Sequence, residues 1–559
     1  MKHIKYLVIG CGIMTLSACS DFLEILPLND VVLQNYWTEK KDVASVMNSC
    51  YEGLETTDCI SRMSIWGELR SDNITQGAST GWQVSEILKE NLLPSNPLCS
   101  WEPMYQVINR CNTVIHYAPG VHAKDPNYTY AEMKANIAEA TALRALCYFY
   151  LIRTFRDVPY STEPSIDDMQ QYIIPATKFD DVLALLIADL ESVKNDAVRR
   201  YYTDESAFAY TNSSRITRWA IYALLADMYL WQGNYEKSIE YCDLILDYKR
   251  SQYDEMKEKY GSISNLFLFN GHPLILEKMT GSTLSGNAYW EIFGKGNSFE
   301  SIFELYFASN QAVQNTYISD YFVNTTGRVG QLGAPDFLRK DVALGNNKVF
   351  RKTDCRAYEN MVLSTASRYA ITKYALRNVS MNTQNVSSEN DTKLSYSMRS
   401  ISDANWIVYR MTDIMLIKAE AEIQLGADRF ESAFSLINAV NKRANNVTTT
   451  ATSDTLSYNT FKGEKSAMEE LLFQERQREL MFEGKRWFDM VRLVRRDGNT
   501  RRAVSMVINK YVDNINAVKI KLADPNIFYY PYHKEEMKVN PKLIQNPAYT
   551  NGDNTELTK

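Results

Sequence analysis

The sequence predicts an all-α protein, a tetratricopeptide-like helical-repeat scaffold carrying one large, irregular, loop-rich insertion, and three observations lead there. Apolar residues recur at helical spacing, as at Val43, Met47, Cys50 and Leu54, and again at Ala138, Ala142, Ala145, Phe149 and Ile152. Two segments resemble each other, ALLADMYLWQGNYEKSIEYCDLIL (223–246) and IKAEAEIQLGADRFESAFSLINAV (417–440). Between them, over residues 251–405, the helical period is lost and Gly, Ser, Asn and Thr interleave with aromatics, as in GSTLSGNAYWEIFGKGNSFESIFELYF (281–307).

The chain begins with Lys2 and Lys5, an 11-residue apolar stretch from Tyr6 to Leu16, and the small residues Ser17 and Ala18 ahead of Cys19. A membrane span needs about 20 apolar residues, so this segment reads as a leader that is removed. Leu16-Ser17-Ala18-Cys19 resembles the lipobox of bacterial lipoproteins, which makes residues 1–18 a signal peptide and Cys19 the lipidated first residue of the body, 19–559. The acidic start that follows, Ser20 to Glu24, resembles the export tag of surface-exposed lipoproteins.

Within the body, residues 19–250 read as N-terminal helical repeats and residues 406–559 as a C-terminal repeat followed by a charged helix and a wrapping tail. Both self-similar segments run helix, glycine, short loop, aromatic, helix. Ala226 and Ala419 let the paired helices approach, Gly233 and Gly426 end the first helix, and Tyr235 and Phe430 plug the turn. The two glycines lie 193 residues apart, so the copies are not a tandem array.

Composition narrows the function. Removing the leader takes away Lys2 and Lys5 and leaves 59 basic against 67 acidic groups, a net charge of −8, which disfavours nucleic acid. Seven cysteines remain besides Cys11 and Cys19, with no zinc-type spacing, and Cys111, Cys147 and Cys242 fall in apolar helical patterns as buried thiols. No nucleophile elbow, metalloprotease, phosphate-loop or dinucleotide motif is present, so no catalytic residue, metal or cofactor is expected. His272, in Asn270-Gly271-His272-Pro273, reads as a loop residue. In the charged run from Glu475 to Arg486, Glu479 and Glu483 share a helix face, but Arg476, Arg478, Lys485 and Arg486 alternate with them, so the run reads as ion pairs. Arg410, Asp413 and Glu420 are candidate partners in that network.

Six ordered motifs then resemble one family, the SusD-like (RagB/SusD) outer-membrane nutrient-binding lipoproteins. They are WEPMYQVINRCN (101–112), AEATALRALCYFYLIRTFRDVPY (138–160), YRMTDIMLIKAEA (409–421), INAVNKRA (437–444), LLFQERQRELMFEGKRWFDMVR (471–492) and YYPYHKEEMKVNPKLIQNPAY (529–549). Lys485 stands where the family often has His, and Tyr532 where its tail usually reads P-I-P. The resemblance implies about four helix pairs holding an irregular ligand-binding region. It also implies capture of oligosaccharides, or in some members peptides, for delivery to a SusC-like TonB-dependent transporter at the outer membrane. A tetratricopeptide-type protein-interaction scaffold is the reading from another class.

For a sugar ligand, flat rings cover CH faces and planar amides or carboxylates meet hydroxyls. The chain has 36 Tyr, 21 Phe and 9 Trp, more rings than a helical core needs. Trp82, Tyr289 and Trp290 are the candidate stacking rings, with Asp72, Asn73 and Asn287 as polar partners. Trp101, Trp219 and Trp487 fall on motif helices and are assigned to the core.

Overall fold

The apolar spacing of the first helical window produces helix α1 (Lys40–Leu54), with Val43, Met47, Cys50 and Leu54 all buried. The structure is a computed structural model that describes residues 36–166, 173–203, 205–280, 283–308, 313–323, 330–364, 368–382, 393–446 and 456–550. The leader and Cys19 lie outside the described residues. No described helix is long and apolar enough to cross a membrane.

Helix α1 packs on α2 (Glu102–Lys124), α2 on α3 (Tyr130–Phe155), and α3 on α4 (Phe179–Val193). A capping box between Thr129 and Glu132 starts α3, and its stretch from Ala138 to Phe155 is buried on every side, as a central helix requires. Helix α5 (Arg218–Gln232) packs on α4 and pairs with α6 (Tyr235–Tyr260). Gly233 turns left-handed at φ +82° to end α5, a conformation that glycine adopts without steric cost. Ala226 is buried against α6, where the Ser238 hydroxyl donates to its carbonyl at 2.8 Å.

The second copy repeats this arrangement. Helix α7 (Met411–Leu425) ends at Gly426, φ +120°, and pairs with α8 (Phe430–Ala444), whose Phe430 is buried. Helix α6 packs directly on α7, so the two similar hairpins are neighbours in space and the segment between them loops out from a continuous stack. Helices α9 (Lys465–Leu480) and α10 (Arg486–Asp497) close that end.

The all-α expectation needs one correction, because the insertion, joined by a strand of the early loop, forms small antiparallel sheets. One has the order Thr75–Gln76, Leu332–Ala334, Tyr369–Ile371, Met361–Leu363, and another the order Lys393–Met398, Leu376–Asn382, Thr283–Leu284, Met279–Thr280. Residues Leu376, Val379 and Met381 are buried among more exposed neighbours, the broken alternation of a half-covered strand. A two-stranded ribbon, Ser301–Leu305 with Trp406–Arg410, is wholly buried and leads the chain back into α7.

Ion pairs bind the insertion to the frame. Arg356, Lys373, Arg410, Arg443 and Arg478 interlock with Glu300, Asp354, Glu475, Glu479 and Glu483, all buried. Burial alone would raise the Glu479 carboxyl, but Arg443, Arg410 and Arg356 hold it well below the usual range. A second network joins Asp413 to Arg476 and Lys485, and Asp489 to Arg476 and Arg492, which also holds Glu420. The charged run is therefore structural ion pairing, as its alternation suggests. All seven described cysteines are buried and free. The tail wraps back over α10 and the N-terminal region: Phe528 stacks on Trp487 at 5.0 Å, Tyr532 meets Trp101 at 5.1 Å, and the Tyr532 hydroxyl donates to the Asp157 carbonyl at 2.6 Å.

Candidate ligand-binding surface

The loop 68–83 splits into a buried base and an exposed tip. At its base the Glu68 carboxylate accepts N–H groups from Phe482 and Lys485 at 3.0 and 3.1 Å, at the entrance to α10. Asp72 forms a two-pronged pair with Arg486 at 2.9 and 3.0 Å, and Asn73 donates to Glu68 at 2.7 Å while accepting from Gln477 at 3.0 Å. Asp72 and Asn73 are thus buried and engaged by the charged helix pair, so they are not available to a ligand. Beyond them, Thr75–Gln76 joins a sheet edge, Gly77 N–H and the Thr80 hydroxyl both donate to the Gln331 carbonyl at 2.9 and 2.7 Å, and Gly81 N–H donates to the Gln331 side chain at 3.2 Å. This pinned tip presents Trp82, the first residue of a short helix (Trp82–Leu88), with 53% of its surface exposed.

A second exposed indole lies in the insertion. Asn287–Tyr289 makes one helical turn that runs into a π-helical turn, Trp290–Lys295. Tyr289 points inward, is buried, and donates its hydroxyl to the Thr372 carbonyl at 2.7 Å. Tyr289 is therefore a core residue: successive residues of a helix face about 100° apart, and burying one turns the next outward. Trp290 is 38% exposed, with the Lys295 ammonium 5.1 Å from its ring centroid. Asn287 is half-buried, and its amide N–H group is committed to the Leu276 carbonyl at 2.7 Å.

Lys295 also lines a cleft of about 920 Å³ between the chain after α4, helix α6 and the strand Ser301–Leu305. Two stacked ring pairs wall it, Tyr210 on Tyr306 at 4.5 Å and Trp219 on Tyr248 at 3.8 Å. Phe208 lies 6.5 Å from Tyr210, and Tyr202 lies 5.5 Å from Phe208, so a row of rings leads out to the surface. Trp219 is only half-buried, which corrects its assignment to the core, whereas Trp101 and Trp487 are buried as expected. The sequence did not single out this cleft, because its walls come from three distant segments whose only local signal is aromatic content.

Two profiles match most of the chain. Residues 301–549 match the SusD family, and residues 21–230 match a family described as starch-binding associating with outer membrane. The chain belongs to the SusD family. Along 97% of its length it is 23% identical to SusD-like protein P38 of Formosa agariphila, covering 98% of that protein. Among solved structures it resembles a SusD superfamily protein from Bacteroides thetaiotaomicron, with TM-score 0.64 and 21% identity over 92% of this chain and 99% of the other. It also resembles B. fragilis NanU, with TM-score 0.62 and 18% identity over 94% of this chain and 100% of the other. At these identities the structural matches speak for the fold.

Proposed function

We propose that this SusD-family chain is a non-enzymatic cell-surface lipoprotein, anchored through Cys19 to the outer membrane and facing outward. It captures oligosaccharides and hands them to a SusC-like TonB-dependent transporter, using about four tetratricopeptide-like helix pairs as its frame. One observation carries the binding role. Of the nine tryptophans, all described, only Trp82 and Trp290 are exposed, and both stand on short turns outside the helical stack. Each indole presents a flat apolar face to solvent on a short segment held by hydrogen bonds, which is the shape that covers the CH face of a sugar. The cleft beside Lys295 supplies the concavity along which a sugar chain would lie.

Glycan and peptide arrays probed with the full body test the cargo class. Trp82→Ala and Trp290→Ala should each weaken oligosaccharide binding by about 1–3 kcal/mol, judged from other aromatic contact residues. Retention of wild-type affinity by both variants would overturn the glycan reading, and binding confined to peptides would reassign the cargo. Cys19→Ala should leave affinity unchanged and abolish uptake in cells.

A further inference from the structure

Glu277, Cys355 and Glu359 meet inside the insertion, all buried, with one candidate ligand atom from each lying within 4.8 Å of the other two. Cys355 and Glu359 stand four residues apart across the helical turn Arg356–Glu359, so they share a face. Glu277 comes from a segment 78 residues earlier, which is why no spacing motif announces the group. Its two carboxylate oxygens accept N–H groups from Asn287 at 2.9 Å and Ala288 at 2.7 Å, which fixes their orientation.

The three side chains line a cavity of about 20 Å³, room for one water-sized body. Glu359 is only 7% exposed, and its Oε1 has no hydrogen-bond partner among the described residues. A buried carboxylate oxygen left in that condition costs more than most single interactions contribute. Charge points the same way. The adjoining network matches five cations to five carboxylates, and neither Glu277 nor Glu359 has an ion-pair partner among the described residues. Two carboxylates are left over beside a thiol.

We propose that Glu277, Cys355 and Glu359 ligate a zinc ion seated in this cavity. The sulfur donor disfavours calcium and magnesium, which take oxygen ligands, and suits zinc's tetrahedral mixed coordination. Tetrahedral bonds of about 2.0–2.3 Å put neighbouring ligand atoms roughly 3.3–3.7 Å apart, so the side chains close by about 1 Å on binding. Cys355 gives up its thiol proton to solvent as the S–Zn bond forms. One net negative charge then remains, facing the guanidinium groups of Arg356 and Arg443 in the same cavity wall. Ala288 and Tyr289 belong to that wall as well, so the ion braces the turn that carries Trp290.

Plasma mass spectrometry on the full body, purified without chelator from zinc-supplemented cells, should find about one zinc per chain. Cys355→Ser and the near-isosteric Glu359→Gln should both lose it, while Cys242→Ser, at a buried cysteine elsewhere, should keep it. Protein produced with cobalt should show a thiolate-to-cobalt charge-transfer band, a readout on the unmutated chain that needs no variant to fold. The proposal is overturned if unmutated protein carries only trace zinc and no such band, or if zinc persists in both ligand variants.

Discussion

Replacing Asp489 with asparagine removes one charge from the second buried network and keeps the shape. Asp489 receives two parallel hydrogen bonds from Arg476, at 2.8 and 2.9 Å, and a third from Arg492 at 2.9 Å. Burial pushes its carboxyl up, yet Arg476 and Arg492 bring it down to about 2, against 3.8 in the unfolded chain. That difference corresponds to roughly 2–3 kcal/mol of stability. Breaking a buried pair generally costs about 3–5 kcal/mol. Arg476 keeps Asp413 at 3.2 Å and Arg492 keeps Glu420 at 2.9 Å, so Asp489→Asn should fall near the lower end, about 3 kcal/mol. The sign follows from the depressed carboxyl: its contribution is complete above 3.8 and disappears as pH falls towards 2. In urea unfolding at pH 7 the variant's midpoint should drop with an unchanged slope, and at pH 3 about half of the difference should remain. A deficit below about 1 kcal/mol at pH 7, or one of equal size at pH 3, would refute the assignment of this stability to the ionised carboxylate.

Other perturbations separate packing from binding. A Cβ at Gly67 would lie 1.8 Å from the Gly484 carbonyl oxygen, so Gly67→Ala should cost more than about 3 kcal/mol, whereas Gly233→Ala, with open space around it but φ +82°, should cost about 1 kcal/mol; thermal midpoints rank the two. Tyr289→Phe should lose about 1–2 kcal/mol of stability through its hydrogen bond to the Thr372 carbonyl and leave array binding untouched. Burial, with Lys418 and Arg250, lowers the His272 imidazole from 6.5 to about 4, so the unfolded chain takes up a proton before the folded one does. Stability should therefore fall as pH drops from 6.5 towards 4, and His272→Asn should flatten that slope in urea titrations at pH 7 and 5.

The frame was legible because its determinants are local. Apolar spacing located α1 and α3, and Gly233 and Gly426 ended α5 and α7. The polar base of the early loop was not legible in this way. Asp72 and Asn73 look like solvent-facing residues among Ser, Thr and Gly, yet their partners Arg486 and Gln477 lie more than 400 residues away, and no local pattern encodes that contact. The Tyr289-Trp290 pair held a usable signal, because adjacent helical residues cannot both face a ligand and the protein in the same way. The sheets escaped because their strands are two to seven residues long, too short for alternation to show.

On the proposed reading, the distribution of order in the molecule fits a protein that must release what it captures. Trp82 sits on a tip held by three hydrogen bonds to Gln331, and Trp290 follows a turn held by Glu277 and Thr372. Rings fixed before binding lose little freedom when a ligand arrives, so a small contact is enough for recognition. The small number of rings nevertheless limits affinity, since two rings worth about 1–3 kcal/mol each supply only about 2–6 kcal/mol. With a few hydrogen bonds added, that reaches the millimolar to micromolar range, about −4 to −8 kcal/mol, from which cargo dissociates quickly. The proposed tether at Cys19 would then make up for weak capture by holding the body close to the proposed transporter, where effective concentration replaces tight binding.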